Sequence, residues 1–410
     1  MVRKSEFIWN TIGSLFYSFF NVFVLMCCTR VNGTEIAGIF SICYATGCIL
    51  NAIGDLGIRI YQVTDTNRKY TFNEYLVARI VSIVAMIIAT VGFVLVGKYS
   101  NEKLYICLIL IGIRVIDNLS ESFQSELQLQ KKLDIAGIDL LVRNVIEIAV
   151  FVIFDIITKN IYVSFGMMLL SSICMFVALD FRHVKKIVKI DLSNKIENVK
   201  SIIKECIPLG LSTLISMYVI NAVKYAIDGI NNNTMQTYFN VLYMPTFVIN
   251  LVSILIMKPF LKPFGEYWNN KEYNKFIKII FVLIGLLFAA TAVIELGCAI
   301  LGIPILNMIF AIDLTEYKIE LLILIFSGFF YASSTIIFYA LGTIRKQKGT
   351  IVVYAITAII GYFLSNYLVT KYQILGATIA STVIMFTLLL GMSIMFIIGY
   401  NKAKKENNKK

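Results

Sequence analysis

Apolar residues run along this chain in blocks of about 20, each closed by a short polar stretch, a length that crosses the hydrocarbon core of a bilayer as a helix. The blocks fall at 7–28, 37–58, 76–97, 104–127, 137–157 and 161–179, and, after a polar interval over 180–205, at 206–228, 237–260, 276–301, 318–342, 350–369 and 376–399. Six spans on either side of a polar interval predict an all-α polytopic membrane protein of about twelve transmembrane helices in two six-helix bundles around a central cavity. The bundles are residues 1–180 and 206–399, joined by a basic linker over 181–205 and followed by a basic tail over 400–410. Ile196, Val199, Ile202 and Ile203 recur at helical spacing among lysines of the linker, which fits either a helix lying on the membrane surface or a solvated connection. Pro208 is expected to open the seventh span and Pro245 to sit inside the eighth, with Pro259 and Pro263 closing it. Trp9, Tyr61, Tyr75, Trp268, Tyr331 and Tyr400 fall near predicted interfaces and read as anchors.

Composition narrows the class. The chain is 58% apolar and only 15% charged, with a mean hydropathy of +0.79, which excludes a water-soluble enzyme built on a single core. The first block is too long for a secretory leader, so it is kept as a helix. The eight cysteines all lie in or beside apolar blocks without CxxC pairs, and read as small hydrophobes. A single histidine, His183, leaves almost no material for a His-based metal centre or hydrolytic triad. No metal and no cofactor is expected, and no Walker-type phosphate loop occurs.

The formal charge of +12 is sorted by side. With the N-terminus inside, the inner loops collect Arg3, Lys4, Arg59, Arg68, Lys69, Lys131, Lys132, most of the linker, Lys258, Lys262, Arg345, Lys346, Lys348 and the tail lysines. Arg30, Lys98, Lys103, Lys159, Lys318 and Lys371 fall outside. Basic residues are retained on the cytoplasmic side, so both termini are expected there. The charge then faces an anionic leaflet and implies no nucleic acid. Exterior loops are short, which argues against an enzyme holding acceptor sugars in an aqueous domain.

Ionisable residues inside a span cost about 2.5–3.5 kcal/mol each on insertion scales, so each is a candidate site. On the fourth span Arg114, Asp117 and Glu121 share one face, continued by Ser125 and Gln128, and on the fifth Asp139, Arg143 and Glu147 repeat at i and i+4. These matched stripes fit either a polar path or a buried ion-pair lattice. Lys224 and Asp228 lie at i and i+4 in the seventh span, one turn beyond Asn221, and are expected to pair. Arg79, near the inner end of the third span, either snorkels or lines a cavity. Glu295 stands in the ninth span without a cation near it in sequence, a candidate carrier of a proton or sodium ion.

Local phrases then carry a resemblance. Phe7, Ile8, Trp9 and Asn10 with Gly13 open the first span, and Gly54, Asp55, Leu56 and Gly57 close the second. Pro208, Leu209 and Gly210 open the seventh, residues 238–245 start the eighth, and Leu375, Gly376, Ala377 and Thr378 start the last. Over almost its whole length the chain resembles the bacterial polysaccharide-export flippases of the multidrug, oligosaccharidyl-lipid and polysaccharide exporter superfamily. The resemblance implies a flippase that moves an undecaprenyl-diphosphate-linked oligosaccharide from the inner to the outer leaflet of the cytoplasmic membrane by alternating access. By that analogy Arg114, Arg143 and Lys224 bind the diphosphate and Arg79 stands near its cytoplasmic entrance, arginine suiting phosphate through bidentate contacts. Membrane lipids and other polysaccharide-assembly proteins are the implied partners. Coupling to H+ or Na+ would use Asp117, Glu121, Asp139, Glu147, Asp228 or Glu295. Residues 7–28 hold no charged side chain, unlike the first helix of peptidoglycan-precursor flippases or of drug antiporters. A cation-coupled antiporter and a membrane polymerase or ligase of the same pathway are the alternative functions, and a scaffold subunit is a third reading.

Overall fold

The computed structural model describes residues 4–65, 68–97, 99–191, 196–257, 260–346 and 349–408. Arg3, Lys98, Lys195, Lys258, Pro259, Lys348, Lys409 and Lys410 lie outside these ranges. The described residues are almost entirely helical and form no strand. They divide into two compact units, Met1–Met217 and Tyr218–Lys410.

The first unit holds α1 (Lys4–Ser18), α2 (Phe20–Val31), α3 (Gly33–Asp55), α4 (Ile58–Thr64), α5 (Phe72–Gly97), α6 (Asn101–Leu129), α7 (Leu133–Thr158), α8 (Ile161–Phe176) and α9 (Arg182–Lys185). It also takes the first part of α10 (Ile196–Gly229). The second unit holds the rest of α10, then α11 (Asn233–Met257), α12 (Leu261–Asn269), α13 (Tyr273–Gly297), α14 (Ile303–Phe310), α15 (Lys318–Thr343) and α16 (Thr350–Asn408). Among the described residues nine helical segments are long and apolar enough to cross a membrane. Adding α6 and α7, whose charges keep them out of that set, and counting α16 as two, gives the expected twelve. The chain is a multi-pass membrane protein.

Several sequence expectations are corrected. The linker is shorter than 181–205, because a π-type turn, Val177–Phe181, carries α8 into α9 and buries Asp180 completely. The stretch beginning at Ile196 forms no separate surface helix. It is the start of α10, and Val199, Ile202 and Cys206 are buried against Ile58 of α4, Tyr70 just before α5, and Tyr75 and Ala78 of α5. Pro208 accordingly stands inside a helix instead of opening one. Tyr75 and Trp268 do not face lipid as anchors. Tyr75 lies in that cluster and donates to Asp65 at 3.0 Å, while Trp268 of α12 packs on Tyr273, Phe276 and Tyr400.

Close helix approaches set the frame of each unit. A Cβ on Gly137 of α7 would sit 2.5 Å from Trp9 C and Asn10 N of α1, and one on Gly13 would sit 2.5 Å from Gly137 O. Side-chain-free crossings of this kind let membrane helices gain van der Waals contact and so replace the hydrophobic drive that lipid removes. In α16, Gln373 adopts φ 50° and ψ −126°, breaking the helix into two arms. Gly376 follows because a Cβ there would meet Leu368 O at 1.9 Å, so the last span begins at the one residue type its predecessor's carbonyl tolerates.

Gly137→Ala is expected to destabilise the purified protein by about 1–3 kcal/mol through overpacking. Gly47→Ala, where nothing lies within 4 Å of the added carbon, serves as the control. Equal thermal unfolding of both variants and the parent would contradict the tight crossing.

Candidate functional site

Helix α3 presents Tyr44, Cys48, Asn51 and Asp55 at i, i+4, i+7 and i+11, one face that the sequence reading passed over, because only Asp55 is charged. It meets the Arg114 face of α6 rung by rung. The Arg114 guanidinium lies 5.1 Å from the centre of the Tyr44 ring and donates to Cys48 Sγ at 3.7 Å. Asn118 donates to Asn51 Oδ1 at 2.6 Å. Arg79, from α5, donates to Asp55 Oδ1 at 3.2 Å and approaches Glu121 at 3.7 Å.

A second layer lies behind the first. Asp117 receives Arg114 at 3.1 Å on one oxygen and Arg143 of α7 at 2.9 Å on the other. Tyr17 of α1 completes this rung, its hydroxyl accepting from Arg114 at 2.6 Å and donating to Asp117 at 3.3 Å. Arg143, 2% exposed, also faces Glu147 at 3.6 Å and Asp180 at 3.8 Å. Asp180 is held in turn by Ser120 and by Gln124 at 3.2 Å, and His183 Nδ1 shares a hydrogen bond with Asp139 at 2.7 Å. Asp180 and His183 escaped the sequence reading because they were placed in or beside a solvated linker. The π-type turn is what brings them into the bundle.

The structure thus gathers Arg79, Arg114, Arg143, Asp117, Glu121, Asp139 and Glu147 in one unit, yet they are not equivalent. Arg79 is wholly buried and neither snorkels nor stands open at an entrance. It donates to Gly54 O, Asp55 O, Asn118 Oδ1 and Ser122 Oγ, all within 3.0 Å, and so closes the C-terminal end of α3. Arg143 is likewise enclosed. Arg114 and Asp117 each keep 10% of the side chain exposed, and Arg59 and Glu121, 3.5 Å apart, keep about a third at the rim. Charge counting is informative here. Arg59, Arg79, Arg114 and Arg143 face Asp55, Asp117, Glu121, Asp139, Glu147 and Asp180, so carboxylates outnumber guanidinium groups by two, or by one with His183 protonated.

Lys224, Asp228 and Glu295 belong to the second unit and are half-buried there. Lys224, Asp228 and Asn221 each have interaction partners. Glu295 lies beside the exposed side chains of Val293 and Leu296. A further acid not singled out from sequence, Asp155, is completely buried and accepts from Asn32 at 2.8 Å, Ser164 at 3.1 Å and Cys27 at 3.4 Å, which ties the α2–α3 connection to α7 and α8.

Comparison with solved structures settles the architecture. The chain superposes on a multidrug resistance MATE family transporter of the MOP superfamily in an inward-facing conformation, with a TM-score of 0.71 over 96% of both chains at 14% identity. It matches the lipid II flippase MurJ, inward closed, with the same TM-score over 98% of this chain and 90% of that one at 15% identity. The fold is that of the MOP-superfamily exporters. In sequence, the chain is 25% identical over 345 residues, 82% of its length and 85% of the relative's, to the capsular polysaccharide biosynthesis protein CapF of Staphylococcus aureus. No family model matches the chain.

Arg143→Ala takes the guanidinium from buried Glu147 and Asp180 and one of two from Asp117, and is expected to cost about 3–5 kcal/mol of stability. Adding Glu147→Gln should recover part of it, whereas Arg59→Ala at the exposed rim should cost less than about 1 kcal/mol. Thermal unfolding in detergent reads all three, and a double variant no more stable than Arg143→Ala alone would contradict the shared-guanidinium arrangement.

Proposed function

We propose that this MOP-fold protein is a flippase that carries an undecaprenyl-diphosphate-linked oligosaccharide from the inner to the outer leaflet by alternating access, for assembly of a cell-surface polysaccharide. The observation that carries the reading is Arg114, an intramembrane guanidinium that keeps exposed surface while its neighbours Arg79 and Arg143 are enclosed. A planar, permanently charged donor is the group best matched to a diphosphate. The 25% identical relative named for capsular polysaccharide biosynthesis favours a polysaccharide substrate over a drug. In this reading the protein does no chemistry on the sugar and sits in the bacterial cytoplasmic membrane with both termini inside. Arg79 and Arg143 hold Arg114 and Asp117 in register, and Lys224 of the second unit is a further candidate contact for the substrate.

The surplus of carboxylates makes the guanidinium groups contested. A diphosphate arriving at Arg114 competes with Asp117, which already takes both Arg114 and Arg143. Glu121 and Glu147 compete in the same way for Arg79 and Arg143.

The test is a reconstituted-vesicle assay that follows a lipid-diphosphate oligosaccharide between leaflets. Arg114→Ala, with helical content and elution unchanged, is expected to lower transport at least about tenfold, the loss of one charge-assisted contact. Asp117→Asn is expected to tighten diphosphate binding by removing the carboxylate that competes for Arg114. Full transport by Arg114→Ala would remove Arg114 from the path, and no transport by the intact protein would remove the flippase reading itself.

A further inference from the structure

A groove in the second unit has no part in the charge ladder. Its walls are the two arms of α16, which run antiparallel: an added Cβ at Gly391 would meet Val353, one at Gly349 would meet Met395, and one at Gly399 would meet Lys346. The groove has a volume of about 920 Å3. Val352, Ile356, Leu390, Ile394 and Ile398 line it and all are exposed. Arg345, Lys346 and Lys402 stand at one end, Lys346 paired with Glu406 at 2.8 Å.

Depth identifies the occupant. The uncharged part of the lining runs from Gly349 to Thr357 on one arm and from Thr387 to Gly399 on the other, about 12 and 18 Å at the helical rise of about 1.5 Å per residue. Half of a hydrocarbon core about 30 Å thick is about 15 Å. The groove is therefore one leaflet deep, apolar along its length and cationic where that leaflet's headgroups lie. A polyprenyl chain as long as undecaprenyl overruns it, whereas a diacyl lipid fits. We infer that this groove holds an anionic glycerophospholipid of the leaflet on the C-terminal side, its phosphate between Arg345 and Lys402 and its acyl chains on Val352, Ile356 and Ile394. Basic pockets between membrane helices recognise anionic headgroups by this same combination of charge and apolar wall.

The experiment is native mass spectrometry of the full chain in neutral detergent, with phosphatidylglycerol or phosphatidylcholine of matched acyl chains added. Retention is read as bound fraction, so the result is independent of any translocation. The intact protein is expected to retain phosphatidylglycerol about tenfold better than phosphatidylcholine. Arg345→Gln with Lys402→Gln should erase the preference, and Ile394→Trp should reduce retention of both lipids with helical content unchanged. Equal retention of the two lipids by the intact protein, or an intact preference in the double variant, would overturn the assignment. So would displacement of phosphatidylglycerol by equimolar undecaprenyl phosphate, which would give the groove to the carrier lipid.

Discussion

A guanidinium buried in a membrane protein cannot release its proton at any physiological pH, so the chain must bring counter-charges to it. Arg143 meets this constraint with Asp117, Glu147 and Asp180 from three different segments. Each partner then needs its own donors, and the requirement spreads outward through Tyr17, Arg114, Ser120 and Gln124. Desolvation makes such an arrangement a weak source of net stability, since apolar residues of the same volume often serve as well. Its structural effect is on specificity: α1, α6, α7 and the end of α8 have one mutual register in which each guanidinium meets a carboxylate.

The same constraint shapes what the site can recognise. Guanidinium groups that are already answered offer no free cation to an incoming anion. On the proposed flippase reading, an incoming diphosphate has to outcompete a carboxylate that sits between two arginines. Arg114 is placed for that contest because a phenol ring, a phenol hydroxyl and a thiol surround the rest of it, groups that orient a cation without cancelling its charge. The enclosed Arg79 differs, since four oxygen acceptors already hold its Nε and Nη1.

Much of this was legible in the chain. The spans appear as apolar blocks because lipid imposes length and composition directly, and the stripes on α6 and α7 appear because charge in such blocks is conspicuous. Less legible were features that depend on three-dimensional context. Asp180 falls at the edge of an apolar block and reads as linker until a π-type turn draws it inward. The Tyr44, Cys48, Asn51 and Asp55 face blends into an apolar helix because three of its four members are uncharged, although their spacing was available. Ile196, Val199 and Ile202 carry the periodicity of a surface helix, and only the cluster around Tyr75 tells that Val199 and Ile202 are covered by protein while Ile196 stays exposed.

The charge distribution also bears on how the chain is made. Helices α6 and α7 are the two spans that fall outside the set apolar enough to cross alone. With Arg114, Asp117 and Glu121 on one and Asp139, Arg143 and Glu147 on the other, each carries about 2.5–3.5 kcal/mol of insertion penalty per charge. Neither leaves the translocation channel for lipid favourably as an isolated helix. They must wait at its lateral opening until partners answer their polar faces: α3 and α5, already made, for α6, and α6 itself followed by Asp180 and His183 for α7, so the order of synthesis is part of how this protein reaches the membrane.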